Sequence, residues 1–183
     1  MGFEKLSLVD RVIVVTGAAK GMGAACSRLL ASRGAEVILA DIDEQGEATA
    51  EAIRDEGASA SFIRLDVTSE KDWQSLVRQA IAVHGRVDGL VNNAGVGGSR
   101  RIELTTLEDY ERIMGVNFKG TFLGCREILP AMKLAGKGSI VNFGSTSGLK
   151  AIFPFLPIYS ASKAAIRMFT KLCAWDFREY DIR

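Results

Sequence analysis

The 183-residue sequence is poor in several residue types, and each shortage excludes something. There is one histidine, His84, which argues against a histidine-rich metal site and a histidine-based nucleophilic triad. Cys26, Cys125 and Cys173 are odd in number and widely spaced, so a disulfide framework is not expected and a reducing compartment fits better. An excess of one charge is also missing: Lys plus Arg is 23, Asp plus Glu is 22, and the net charge is +1. That balance makes no electrostatic case for DNA, RNA or an anionic membrane surface. Apolar runs such as Val12 to Val15 are far too short to cross a bilayer. Residues 1–11 spread their charges and lack the apolar region of a secretory signal. The Met-Gly start opens a myristoylation pattern, but Leu6 stands where Ser or Thr is wanted. The expectation is a soluble cytoplasmic protein.

What is present is a core-forming composition, 48% hydrophobic and 25% charged. The length suits one domain, 1–183, and buries a sizeable core without staples. Short β-rich runs alternate with longer amphipathic ones. Val12–Val15, Val37–Ala40, Ser61–Leu65, Val87–Asn92 and Ser139–Phe143 read as strands. Between them lie helical patterns. The first runs from Met22 to Arg33, and Asp43 can cap a second that stops at Gly57. Thr68 or Ser69 caps a third that ends near Gly85. Thr106 with Asp109 resembles a capping box opening a long helix to about Leu134, with Pro130 in its last turns. A final helix runs from Ile158 to about Tyr180. The alternation means an α/β domain with a parallel sheet.

Four motifs fall where such sheets bind ligands, at strand C-terminal ends or the helix starts that follow. The first is Thr16-Gly17-Ala18-Ala19-Lys20-Gly21-Met22-Gly23, between a strand and a helix. Its glycines let the backbone turn tightly and approach a pyrophosphate, which would sit on the N–H groups of the helix start. The spacing, G-x-x-x-G-x-G, is not the usual dinucleotide fingerprint, and a plain tight turn is the bland explanation. The second is Asp41, with Ile42 beside it, about 20 residues after the glycines. A carboxylate there accepts hydrogen bonds from a ribose diol and repels a 2′-phosphate, which favours NAD over NADP. Lys20 pulls the other way, since a cation beside the phosphates can pair with a 2′-phosphate. A capping Asp and a solvated Lys are the alternatives.

The third is Asn92-Asn93-Ala94-Gly95, whose small residues let backbone and amide groups reach a nucleotide, although an ordinary strand-end turn looks the same. The fourth is Tyr159-Ser160-Ala161-Ser162-Lys163. Tyr and Lys four apart lie on one helix face. A phenol ordinarily loses its proton near pH 10, and an ammonium within about 4–6 Å favours the phenolate, so the pair can act as a base nearer neutrality. Ser145 ends the fifth strand and can donate a hydrogen bond to a carbonyl or hydroxyl; a turn serine is the bland reading, as for Ser147.

Taken together, TGAAKGMG, NNAG, the Ser145 strand end and YSASK resemble the short-chain dehydrogenase/reductases over essentially the whole chain. The resemblance implies a three-layer, doubly wound parallel sheet of the Rossmann type, with five strands present in the order 3-2-1-4-5. It makes Tyr159 the catalytic acid/base, and Ser145 the group that orients the substrate oxygen. Lys163 would bind the nicotinamide ribose and favour the phenolate. Asn117 would be a fourth catalytic position, whose backbone holds a water in a proton relay. Gly17, Lys20, Gly21, Met22, Gly23, Asp41, Ile42, Asn93, Ala94 and Gly95 would line the coenzyme, and Asp66-Val67 would contact adenine. No metal is implied. By periodicity alone, Asn117 shares a helix face with Ile113, Met114 and Cys125, and a buried polar group there needs a partner.

Two departures stand out. Thirteen residues separate Ser145 from Tyr159, one more than the family's usual spacing, and an insertion between Gly148 and Ile158 accounts for it. Ser147 is then the fallback for Ser145. Family members also continue past Asp181-Ile182-Arg183 with further strands and a substrate lid, which suggests a truncated chain and leaves Ile140–Phe143 as an uncovered apolar edge.

The expected activity is NAD(H)-dependent interconversion of a secondary alcohol and a ketone. Leu149, Ile152, Phe153, Phe155 and Leu156 hint at an apolar or alicyclic substrate, or simply pack their loop. The alternatives are an NADPH-dependent ketone or 3-oxoacyl reductase, or a non-catalytic dinucleotide-binding fragment. Homo-oligomerisation is expected through the helices carrying Asn117 and Tyr159, with Phe118, Phe122 and Phe169 as candidate contacts.

Overall fold

A computed structural model describes residues 7–98, 100–151 and 154–183. The readings of residues 1–6, and the hint from Ile152 and Phe153, lie outside the described residues.

The continuous apolar runs become the middle of a five-stranded sheet. β1 (Val12–Thr16) is buried along its whole length because helices cover both its faces. It pairs in parallel with β2 (Glu36–Asp41) on one side and β4 (Gly89–Asn92) on the other. β3 (Ala60–Arg64) pairs with β2 and β5 (Ser139–Asn142) with β4, so the order is β3-β2-β1-β4-β5. This is the expected doubly wound order.

Alternate side chains feed two cores. Ile13, Val15, Val37 and Leu39 pack with Ala31 of α1 (Gly21–Ser32) and with Ala50 and Ile53 of α2 (Gln45–Asp55). On the other face Val14, Ile38 and Leu90 meet Trp73 and Leu76 of α3 (Glu70–His84). Ile128 and Met132 of α5 (Gly120–Ala135) close that core. Each Val, Leu, Ile or Met among these stabilises the fold by about 1.5–3 kcal/mol through burial. The Trp73 indole N–H donates to Val67 O at 3.0 Å, so its burial leaves no unpaired donor.

Three local expectations change. Asp43 is not the cap of α2; Glu44 holds that position, although Asp43 Oδ1 accepts from Gln45 N–H at 3.0 Å one residue earlier than a cap would stand. The long helix from Thr106 is not uniform. Its capping box is present, but α4 (Leu107–Met114) widens into a π-turn at Gly115–Lys119 before α5 begins. Such turns mark sites where a side chain must be re-aimed, and here the side chain is Asn117. The edge of β5 is not bare either. Gly138 and Ile182 form a parallel bridge, and Ile140 N–H donates to Arg183 O at 2.7 Å, though Val141 stays half exposed. The last helix, α6, spans Pro157–Phe177, with proline at its start where the missing N–H costs nothing.

Candidate active site

The glycine turn joins β1 to α1 at the C-terminal edge of the sheet. Gly17 and Gly21 have φ of +64° and +60°, a region that side chains disfavour. Gly23 is required for space: a Cβ there would lie 2.1 Å from Gly17 O and 2.6 Å from Asn93 Nδ2. The start of α1 has Lys20 at the N-cap with no side-chain cap, and no acidic residue in its first turn. Its free N–H groups and positive dipole end therefore suit an anion. Met22 and Ile42 are exposed beside it.

Asp41 ends β2. Its Oδ2 accepts from Ala19 N–H at 2.9 Å and its Oδ1 from Asp43 N–H at 3.0 Å, which fixes the carboxylate against the glycine turn. Lys20 Nζ pairs with Asp43 Oδ2 at 3.1 Å.

The NNAG turn faces the same opening, but Asn93 is used internally. Its amide donates to Thr16 O at 2.8 Å and Gly17 O at 3.0 Å, while its own N–H and that of Ala94 donate to Thr16 Oγ1. Thr16 and Asn93 thus lock the β1 and β4 turns together. Sequence reasoning gave Thr16 no role, because a threonine closing a strand carries no signal of its own. Asp66 Oδ1 accepts from Thr68 N–H and Oγ1, so it also shapes its turn. Val67 is buried under Gly120, where a Cβ would meet it at 2.9 Å.

On the other half of the edge, Tyr159 and Lys163 share one face of α6. Lys163 is 5% exposed, its Nζ donates to Phe143 O at 2.8 Å, and it lies 5.9 Å from the Tyr159 ring centroid. Burial pulls this ammonium below the ordinary lysine range. A Cβ on Gly95 would stand 3.3 Å from Asn117 Oδ1 and 3.6 Å from Lys163 Nζ, so these groups line one space.

Asn117 is fully buried and fully paired. Oδ1 accepts from Val96 N–H at 2.8 Å, and Nδ2 donates to Val96 O at 3.1 Å and Ser162 Oγ at 3.0 Å. Ser162 in turn donates to Tyr159 O at 2.7 Å. Ser162, between Tyr159 and Lys163, thus points inward.

Ser145 follows β5 and opens a short 3₁₀ turn, Thr146–Gly148, where its Oγ accepts from Ser147 N–H at 3.2 Å. Gly148 packs this turn on α6, leaving only 2.7 Å between a Cβ and the Lys163 carbonyl carbon. Below it, Asn142 Oδ1 accepts from Asn92 Nδ2 at 2.8 Å, and Asn142 Nδ2 donates to Thr170 Oγ1 at 2.9 Å. Cys125 sits against these amides, and burial pushes its thiol up to about 12.

A groove of about 470 Å³ lies between α6 and the loop after Ser145, lined by Ser147, Leu149, Phe155, Leu156, Ser160 and Ala164. A cavity of about 420 Å³ at the opposite edge of the sheet, lined by Arg11, Ile13, Asp88 and Val141, holds none of the site residues. Among the described residues no cluster of His, Cys, Asp and Glu could hold a metal, and no helix is long and apolar enough to cross a membrane.

Residues 11–183 match the short chain dehydrogenase family. The chain belongs to the short-chain dehydrogenases. It is 42% identical to cyclopentanol dehydrogenase of Comamonas sp. (strain NCIMB 9872), over 95% of this chain and 70% of that one. It is 37% identical to trans-4-hydroxycyclohexanecarboxylate dehydrogenase of Sinomonas cyclohexanicum, over 96% of this chain and 70% of that one. Among solved structures, a gluconate 5-dehydrogenase from Burkholderia cenocepacia J2315, in complex with NADP and tartrate, superposes with a TM-score of 0.93 at 30% identity. That match covers 98% of this chain and 70% of the other. The short-chain dehydrogenase fold thus accounts for the placement of all four motifs along one edge of the sheet.

Proposed function

We propose that this protein is an NAD(H)-dependent, cytoplasmic oxidoreductase that interconverts an apolar or alicyclic secondary alcohol and its ketone. The observation that carries this reading is the pairing of Tyr159 with the buried Lys163 on one face of α6, beside Asn117 and the Ser145 turn. A phenol needs a nearby cation to act as a base near neutrality, and Lys163 is fixed for that by Phe143 O. Tyr159 takes the proton from the substrate hydroxyl, and Ser145 hydrogen-bonds the same oxygen. Asn117 keeps the chain at Val96 and Ser162 in place around them.

The uncapped start of α1 and the tight turn that Gly23 permits fit a dinucleotide pyrophosphate. Gly17, Lys20, Gly21, Met22 and Gly23 would hold it. Asp41 and Ile42 would take the adenine ribose, Asp66 and Val67 the adenine, and Asn93, Ala94, Gly95, Tyr159 and Lys163 the nicotinamide side. When bound, the nicotinamide supplies the hydride acceptor. The ring-alcohol names of the two relatives support the substrate class.

A second reading, an NADPH-dependent reductase, is favoured by Lys20 and by the NADP in the gluconate 5-dehydrogenase structure. The exposed Phe122, Leu172 and Trp175 on α5 and α6, with Phe122 and Phe169 in edge contact, support self-association through those helices.

The test is NADH and NADPH titration followed by cyclopentanol oxidation, with wild type and Tyr159→Phe. Tighter NADH binding and a loss of turnover in the phenylalanine variant of roughly 10³-fold at unchanged NADH affinity are expected. Full activity in that variant removes the mechanism. Binding without turnover of any ring alcohol makes the chain a dinucleotide-binding module instead.

A further inference from the structure

Asp43 belongs to none of the motifs and has no assigned role in coenzyme binding. It is nonetheless built into the end of the site where adenosine would lie. Its N–H donates to Asp41 Oδ1 at 3.0 Å, which ties it to the carboxylate that would meet the ribose. Its own Oδ1 accepts from Gln45 N–H at 3.0 Å, and its Oδ2 accepts from Lys20 Nζ at 3.1 Å. The Gln45 hydrogen bond, followed by Lys20, holds this carboxyl below the usual carboxylate range.

We propose that Asp43 is a specificity-determining residue that engages Lys20 and so withholds it from a 2′-phosphate. This rests on the NAD reading of the site. Lys20 is 74% exposed and Asp43 39%, so the pair contributes little to folding. Its effect falls on an arriving charge. A ribose diol approaching Asp41 meets no penalty from the pair. A 2′-phosphate must either break it or approach two carboxylates, Asp41 and Asp43, with the lysine already engaged. The two sequence signals that disagreed, an acidic strand end and a basic glycine turn, are thereby reconciled: the lysine is present but neutralised. Arg64, the register partner of Asp41 on β3, is another exposed cation at this edge and serves as a control.

The experiment is fluorescence titration of the purified chain with NADH and with NADPH. It uses wild type, Asp43→Asn, Lys20→Ala, Arg64→Ala, and Asp43→Asn combined with each of the last two. Asparagine keeps an oxygen for Gln45 N–H, so the turn is preserved, and melting curves check this. Asp43→Asn should tighten NADPH by roughly tenfold and leave NADH within about twofold. Adding Lys20→Ala should abolish the gain, and raising salt should shrink it. An unchanged NADPH-to-NADH ratio in Asp43→Asn overturns the proposal, as does a gain that survives Lys20→Ala or vanishes in Asp43→Asn with Arg64→Ala alone. A wild type that binds NADPH more tightly than NADH overturns the NAD reading, and this proposal with it. A wild type that prefers NADH but does not respond to Asp43→Asn overturns this proposal alone.

Discussion

Helices α1 and α3 both start at the C-terminal edge of the same parallel sheet, and they start in opposite ways. At α3 the chain closes its own helix end. Ser69 Oγ accepts from Asp72 N–H at 3.2 Å, and Glu70 and Asp72 set negative charge against the dipole. At α1 the cap position holds a lysine with no capping bond, and the first turn contains two glycines and no acid. A missing cap costs about 1 kcal/mol, and a cation at that end adds to the cost. One molecule thus satisfies one helix start internally and leaves the other able to meet a negative charge from outside. The difference supports the proposed coenzyme site on β1 and α1 better than any glycine count, because it is a property the fold could have repaired with one serine.

The most severe way to break this contrast is Gly23→Ala. The new Cβ would sit 2.1 Å from Gly17 O, and that oxygen cannot retreat because it accepts from Asn93 Nδ2 at 3.0 Å. We expect NADH affinity to fall by more than about 100-fold, with a stability loss of about 1–3 kcal/mol from overpacking. Titration and a thermal melt check both. Gly21→Ala is the control: nothing lies within 4 Å of its Cβ, so only the strain of φ +60° remains and the loss should be much smaller. Equal effects at the two glycines would show that backbone strain, and not the shape of the turn, governs binding.

Much of this was legible in the sequence, and particular residues show where legibility ends. The parallel α/β alternation follows from apolar runs alternating with amphipathic ones, strand order and the three layers came from the family resemblance, and the Thr106–Asp109 box is local chemistry that reads directly. Tyr159 and Lys163 fall on one face because helical periodicity dictates it. The π-turn at Gly115–Lys119 did not read, since it serves contacts of Asn117 with Val96 and Ser162, which are 21 and 45 residues away in sequence. Asn93 and Thr16 were hidden in the same way: their hydrogen bonds cross 77 residues. A one-dimensional pattern reports what a residue offers to its neighbours in sequence, and not which distant carbonyl takes it.

A gentler change sharpens the contrast by giving α1 what α3 has. Met22 is the second residue of α1 and is 68% exposed, so Met22→Asp meets no steric objection. An acid in the first turn favours the helix by about 0.3–1 kcal/mol, yet it repels a pyrophosphate placed on the same N–H groups. Stability should therefore rise slightly while NADH affinity drops roughly tenfold, two readouts moving in opposite directions. If both fell together, the start of α1 would be a packing element and not a binding one.

The smallest expected effect comes from opening the closed end. Ser69→Ala removes the cap of α3 and should cost about 1 kcal/mol in a denaturant melt. Ser69 Oγ also donates to Asp72 Oδ1 at 2.8 Å, and Asp72 Oδ2 accepts from Asp66 N–H at 3.1 Å, so the cap is two bonds from the proposed adenine contact. Asp66 is held independently by Thr68, which donates to it through both N–H and Oγ1. NADH affinity should then stay within about twofold, because at most a few tenths of a kcal/mol of the lost cap reaches a turn with its own bonds. A larger loss of affinity would mean that the α3 cap does its work on the coenzyme through Asp66, and that the two helix starts serve the same ligand by different routes.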